Sequence, residues 1–216
     1  MFRWYSNCDG QLRRATINNS NFQVGAVVRS QRAAVRVRFV AAVAALLLAS
    51  ASAAFAKVSI ENFGQVNDRY YRGAQPEGRD YEDLAALGVR TIIDLTDDGN
   101  ADEAGLAAGA GMKFFRIPLT THAQPSAQAV AQFLALVNDA ANQPVYVHCQ
   151  GGRHRTGVMT AVYRMSHDGW TADRAFTEMQ NYKFGPVFLH SALRDFVYDY
   201  YDRLDRKAID ATAGTR

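Results

Sequence analysis

The chain has 216 residues, 48% of them hydrophobic and 21% charged, with a formal net charge of +3 and two cysteines. That length suits one domain plus an extension, and the apolar share is ample for a core, which excludes a disordered or fibrous chain. Seven arginines and one aspartate fall in residues 1–56, so 17 basic and 20 acidic residues follow; without that stretch the charge is −3, and the electrostatic footprint of a nucleic-acid binder is gone.

Residues 1–34 are mixed and polar. Arg36 and Arg38 then precede an apolar run from Phe39 to Leu48, followed by small residues that end Ala54-Phe55-Ala56. A basic flank, a run of that length and an A-x-A site predict a signal peptide cleaved after Ala56. The run is too short for a membrane span, the alternative being an uncleaved anchor. The unusually long basic region points to a true start downstream of Met1, near Val27 or Val35. The expected organisation is a leader over 1–56, a domain over 57–207 and a flexible tail over 208–216. The product would be periplasmic or secreted, with no stable membrane insertion after processing. Cys8 leaves with the leader and Cys149 remains as the sole thiol, so no intramolecular disulfide is expected.

From Val58 onward strand and helix patterns alternate. Asn67–Arg72 reads as a strand leading to a turn over Gly73–Gly78. Tyr81–Leu87 reads as a short helix stopped by Gly88, and Val89–Leu95, rich in β-branched residues, as a central strand. An acidic loop over Thr96–Asn100 precedes a small-residue helix over Ala101–Ala110. Lys113–Ile117 reads as a strand ended by Pro118. Ser126 caps a helix running to about Ala140, with Val130, Phe133, Leu134 and Val137 on one face. Later helices cover Val158–Ser166, Thr171–Gln180 and Leu189–Leu204. The order predicts an α/β single domain, a mostly parallel sheet flanked by helices.

The chemistry concentrates at Val145–Val158, V-Y-V-H-C-Q-G-G-R-H-R-T-G-V. A short apolar run delivers His148 and Cys149, and Arg155 opens a helix. A helix N-terminus has unpaired N–H groups and favours an anion. A cysteine facing it beside Arg155 is expected to be largely thiolate at neutral pH. Gly151 and Gly152 let the backbone turn its N–H groups inward, and Arg155 offers a planar fork for two phosphate oxygens. Gln150, Gly151, Gly152, Arg153, His154 and Arg155 are thus the candidate phosphate-binding residues. Cys149 is the candidate nucleophile toward phosphorus, forming a phosphocysteine intermediate. Thr156 is placed to hydrogen-bond the leaving sulfur, and His148 to orient the loop.

The stretch resembles the cysteine-dependent protein tyrosine phosphatase superfamily, whose signature is H-C-x5-R-[ST]-G. It is more closely similar to the atypical dual-specificity phosphatases of plants and fungi and their bacterial relatives, with the loop C-x-x-G-x-H-R-T-G. Cys149, Gly152, His154, Arg155, Thr156 and Gly157 match in register, and Tyr71–Pro76, Y-R-G-A-Q-P, matches an upstream segment of those families. The resemblance covers Val58 to Leu204 and implies a tyrosine-phosphatase-like fold and hydrolysis of phosphate monoesters on a phosphorylated protein or small molecule, phosphotyrosine-like or dual-specificity.

Such phosphatases typically place an aspartate as general acid in the loop corresponding to Ile117–Ser126. That loop here, I-P-L-T-T-H-A-Q-P-S, has none. His122 is the first candidate for the proton donor. Asp94, at the end of a strand expected beside that of Cys149, is the second, with Asp97 and Asp98 in the following loop. The missing aspartate mildly favours aryl phosphates or phosphoanhydrides, whose leaving groups need little protonation. Arg153 and His154 are expected at the substrate rim or simply solvated, and Lys183 at the cleft or in a solvated loop between helices. No metal-ligand spacing occurs, and no metal or organic cofactor is expected. Two other classes remain: a phospho-ligand-binding module with little turnover, and a rhodanese-like sulfurtransferase, disfavoured by His148 and by the Arg-Thr-Gly ending.

Overall fold

The computed structural model of the chain describes residues 58–213, with side chains to residue 206. The expected leader and its cleavage site lie outside the described residues. Strands β1 (Gly64–Asn67), β2 (Tyr70–Gly73), β3 (Thr91–Thr96), β4 (Lys113–Leu119) and β5 (Val145–His148) form one sheet in the order β1-β2-β5-β3-β4. Only β1 is antiparallel to its neighbour. Helices α1 (Asp80–Ala86) and α2 (Glu103–Gly109) precede α3 (Ala127–Asn138), α4 (Arg155–His167), α5 (Ala172–Asn181) and α6 (Ser191–Ala213), and a short 3-10 turn at Val187–Leu189 leads into α6.

The sheet is buried on both faces, which is why β3 and β5 read as unbroken apolar runs. Successive side chains point to opposite sides. Ile92 and Tyr146 pack with Tyr81, Leu84 and Ala107 of α1 and α2. Ile93, Val145 and Val147 pack with Phe133, Val158, Val162, Met179 and Phe196 of α3 to α6. Ser126 Oγ accepts from the Ala129 N–H at 3.1 Å and Thr171 Oγ1 from the Arg174 N–H at 3.3 Å, so both predicted N-caps start their helices.

Three boundaries differ from the sequence reading. The strand expected over Asn67–Arg72 is a hairpin: the Asn67 side chain accepts from the Arg69 N–H at 2.9 Å, turning the chain between β1 and β2. Strand β4 continues through Pro118. It is an edge strand, and its register against β3 slips between Asp94 and Thr96, where a residue without an N–H is tolerated. Helix α6 runs on to Ala213, past Leu204 and into the stretch expected as a tail.

The insertion of β5 between β2 and β3 positions the site. Gly73 and Asp94 both pair with His148, so three carboxyl ends finish level with one another. A parallel sheet opens its ligand crevice where the strand order reverses, and Cys149 follows directly at that point.

Phe133 has no exposed surface and joins α3 to the sheet, its ring centre 6.4 Å from that of Tyr70 in an edge-on arrangement. Phe133→Ala is expected to destabilise the fold by about 3–5 kcal/mol, read as a lowered urea midpoint with an unchanged slope.

Candidate active site

Cys149 leaves the end of β5 almost fully buried, 3% exposed, and Arg155 opens α4 seven per cent exposed. Between them, three consecutive carbonyls are held by donors from outside the loop. Gln150 O accepts from the Gln75 N–H at 3.2 Å, Gly151 O from Asn62 Nδ2 at 2.7 Å, and Gly152 O from Arg72 Nη2 at 2.9 Å. In a trans peptide the N–H points opposite to the C=O, so pulling these oxygens outward turns the N–H groups of residues 151–153 inward. Among the described residues none of those N–H groups donates to a backbone carbonyl. The result is a nest of N–H groups not spent on backbone carbonyls, an arrangement suited to an oxyanion. Gly152 has φ +64°, and a Cβ there would meet the carbonyl of Gly73. The loop is pressed directly against the Y-R-G-A-Q-P segment.

Arg72 is completely buried, with its guanidinium 3.8 Å from the ring centre of Tyr182. Burial pulls it below its ordinary range, and the aromatic face offsets part of the lost hydration.

Arg155 uses one end of its fork for architecture. Nη1 donates to Asp97 Oδ1 at 2.9 Å, Asp98 Oδ1 at 3.4 Å and Leu119 O at 3.1 Å, whereas the buried Nε has no partner. Thr156 Oγ1, next in the chain, is also buried without a partner.

Below the loop, Asp94, Glu103 and His148 have no exposed surface. Asp94 accepts from the Thr96 N–H at 2.8 Å, from Thr96 Oγ1 at 2.7 Å and from Arg116 Nε at 2.6 Å. His148 Nε2 lies 2.9 Å from Glu103 Oε1, though neither ring nitrogen has the alignment of a hydrogen bond. The three residues bring ligand atoms within 4.8 Å of one another, a grouping that spacing along the chain did not reveal. A cation is already present there: Arg116 Nη2 is 3.8 Å from Glu103 Oε2 while its Nε holds Asp94. Asp94, expected as a second proton donor, is therefore an enclosed carboxylate fastened to Thr96 and Arg116, and its place is under the loop.

The other candidates separate. His122 is exposed in the turn after β4, where its N–H and that of Ala123 are held by Thr120 Oγ1 at 3.4 and 3.2 Å. Leu119 O, at the root of that turn, is bonded to Arg155. His154 is turned away from the rim: Nε2 meets Phe184 O at 2.8 Å and its ring centre is 3.7 Å from that of His190. Arg153 Nη2 donates to Glu61 Oε1 at 2.7 Å, an oxygen it shares with Lys183 Nζ at 3.2 Å. Asn62, Glu61 and Glu103 were missed from sequence, having no motif and no local periodicity to mark them.

A family model described as "DSP-PTPase phosphatase fused to NAD+ Kinase" matches residues 50–193. The dual specificity protein phosphatase TpbA of Pseudomonas aeruginosa is 28% identical over 124 residues, 57% of this chain and 56% of that protein. The inositol diphosphatase DSP5 of Arabidopsis thaliana is 28% identical over 55% of this chain and 60% of its own length. The chain thus spans somewhat more than half the length of these relatives. The catalytic core of the PP-IP phosphatase SIW14 from Saccharomyces cerevisiae superposes with a TM-score of 0.59 over 71% of this chain and 94% of that one, at 22% identity, and so shares the fold.

Burial, and next the charge of His190, hold His154 below its ordinary value of 6.5. The unfolded chain takes up a proton there that the folded chain resists, so this contribution to stability is complete above pH 6.5 and is lost as pH falls below it. His154→Gln, which keeps a donor for Phe184 O, is expected to flatten the fall in urea midpoint between pH 7 and pH 5.5; an unchanged slope would count against this assignment.

Proposed function

Because the chain belongs to the DSP-PTPase phosphatase family, we propose that it is a cysteine-dependent phosphatase that hydrolyses phosphate monoesters of the phosphotyrosine-like or dual-specificity kind through a phosphocysteine on Cys149. One observation carries the reading: the loop that runs from Cys149, the one free thiol among the described residues, to Arg155 keeps unspent donors in the N–H groups of residues 151–153 and in Arg155 Nε. A phosphoryl group supplies the acceptors they lack. The relatives' names agree, TpbA being a dual specificity protein phosphatase.

The thiolate sulfur of Cys149 attacks phosphorus, forming the S–P bond as the P–O bond to the leaving group breaks. Charge spread over the equatorial oxygens is met by the inward N–H groups and by the Nε edge of Arg155, while Nη1 stays on Asp97 and Leu119 O and keeps the fork from turning. His122 gives the leaving oxygen its proton, on a turn whose root is tied to Arg155. Water then attacks phosphorus and gives its proton back to His122, the S–P bond breaks, and Thr156 Oγ1 donates to the departing thiolate sulfur. Asp97 is the alternative proton donor, since it is half-exposed and touches the clamp. The expected compartment is the periplasm or the exterior, on the leader pattern before Lys57.

Hydrolysis of an aryl phosphate tests this. Cys149→Ser is expected to lower turnover at least about a thousandfold, and Arg155→Lys, which loses the planar fork, by roughly a hundredfold or more. His122→Ala is expected to slow an alkyl phosphate more than an aryl one, by roughly a hundredfold against tenfold; the same pattern in Asp97→Asn would move the acid role there. Phosphate binding by the unmodified protein with no turnover of any ester would replace the enzyme by a phospho-ligand-binding module.

A further inference from the structure

A glutamate is almost never fully buried unless it is paired, yet Glu103, which opens α2, has no exposed surface. Its Oε1 lies 2.9 Å from His148 Nε2. The Tyr81 hydroxyl is 3.5 Å from the same oxygen and 3.1 Å from Pro76 O, which ends the Y-R-G-A-Q-P segment. The other ring nitrogen of His148, Nδ1, lies 4.0 Å from Asp94 Oδ1, and the ring is stacked on Tyr146 with centres 5.7 Å apart. No donor serves either ring nitrogen among the described residues. A neutral imidazole keeps a lone pair on one nitrogen, and here either lone pair would face a carboxylate oxygen. An imidazolium has none, and it gains from both carboxylates and from the aromatic face of Tyr146. The count of charges leads to the same result. Asp94 and Glu103 bring two negative charges into an enclosed site, Arg116 brings one positive charge, and an unbalanced buried charge is costly. Tyr81 and Tyr146, the other titratable side chains against the cluster, supply no cation. The second positive charge falls to His148.

We infer that Asp94 and Glu103 hold His148 as an imidazolium, and that Glu103 is a positioning residue for the phosphatase reaction, acting on Cys149 through that charge. The inference deepens the phosphatase reading and rests on it for the reaction that the charge serves. Glu103 itself touches no reacting atom. Its effect runs along β5, because His148 ends the strand and Cys149 follows, so a charge fixed on the ring stands one residue before the nucleophile. In an enclosed site a neighbouring positive charge favours thiolate over thiol far more than it does in water. Of the two carboxylates Glu103 is the nearer to the ring and the less engaged, since Asp94 is already held by Arg116 and by the Thr96 N–H and hydroxyl. An uncharged residue in place of Glu103 leaves one carboxylate to one guanidinium. In that balance the ring gives up its second proton, and the thiol loses the charge behind it.

Proton–nitrogen correlation spectra of histidine-labelled protein, with His148→Asn to identify the signal, read the charge directly. The unmodified chain is expected to show both His148 nitrogens protonated from pH 6 to pH 8, and Glu103→Gln to show one of them bare at pH 8. Alkylation of Cys149 by iodoacetamide, which consumes the thiolate, is expected to slow roughly fivefold to tenfold in Glu103→Gln at pH 6, the difference closing by pH 9. Slowing by the same factor at every pH would mean structural support alone and would overturn the inference. A His148 with a single ring proton in the unmodified chain overturns it too, as does an imidazolium that survives in Glu103→Gln. Glu103→Asp keeps the charge on a smaller side chain and serves where Glu103→Gln does not fold. It is expected to preserve the imidazolium signal and the alkylation profile, and a neutral ring there counts against Glu103. None of these readings needs turnover, so they judge the inference even where aryl-phosphate hydrolysis is absent and the phosphatase reading fails.

Discussion

The structure depends on three carbonyl oxygens pointing the wrong way for an ordinary loop. Gln150, Gly151 and Gly152 turn their oxygens outward because Gln75, Asn62 and Arg72 supply donors there. Each such bond contributes only about 1 kcal/mol net, more for one from a charged guanidinium. Their geometric effect is larger, since the peptide plane converts every outward oxygen into an inward N–H. Like-oriented N–H dipoles repel one another, so the nest does not form unaided. The Y-R-G-A-Q-P segment and Asn62, two residues before β1, hold it open, so that in the reaction proposed for it no reorganisation is left to be done in the transition state.

This dependence explains the sheet order. The segment carrying Arg72 and Gln75 must lie against the loop that follows β5, and β2 pairs with β5 so that Gly73 stands level with His148. On the other side β3 brings Asp94 to the same level. A Cβ on Gly152 would meet the backbone of Gly73 and one on Gly73 the hydroxyl of Tyr146, which leaves no room for a side chain at either position. Below this junction two carboxylates and an imidazole are enclosed, with the partly exposed Arg116 against them. A buried carboxylate with its partner removed costs several kcal/mol, so this group is a fixed unit that gives the loop an unyielding floor.

Much of this was legible in the sequence where the residues are contiguous. The H-C-x5-R-T-G run specifies strand, loop and helix start in one stretch, and the burial of β3 and β5 on both faces follows from their β-branched and apolar composition. Ser126 and Thr171 announced their helices correctly because capping is local. The failures are long-range. Asn62 meets Gly151 across 89 positions of sequence, and nothing at Asn62 itself distinguishes it from any turn residue. Asp94 looked available as an acid because a strand end is usually open; the Thr96 hydroxyl and the Arg116 side chain that enclose it are set by a register slip in β4 that periodicity does not show. Arg153 and His154 were expected at the rim by adjacency to the nucleophile, yet adjacent residues of a tight loop point apart, one to Glu61 and the other to Phe184.

Arg155 shows why the site needs a guanidinium. A planar fork has two ends, and this structure uses them for different purposes: Nη1 is spent on Asp97, Asp98 and the Leu119 carbonyl, while Nε is left dry and unpaired. The first set of bonds joins the loop after β3, the turn after β4 and the start of α4 through a single side chain. Because the group is rigid, fixing one end also fixes the direction of the other. A lysine ammonium could form either set of contacts but could not transmit orientation from one to the other, since its three donors turn freely about the last bond. The same bonds that close the architecture around β3, β4 and α4 therefore aim the phosphate contact, and the turn bearing His122 is tied to the atom group that the bound phosphoryl would meet.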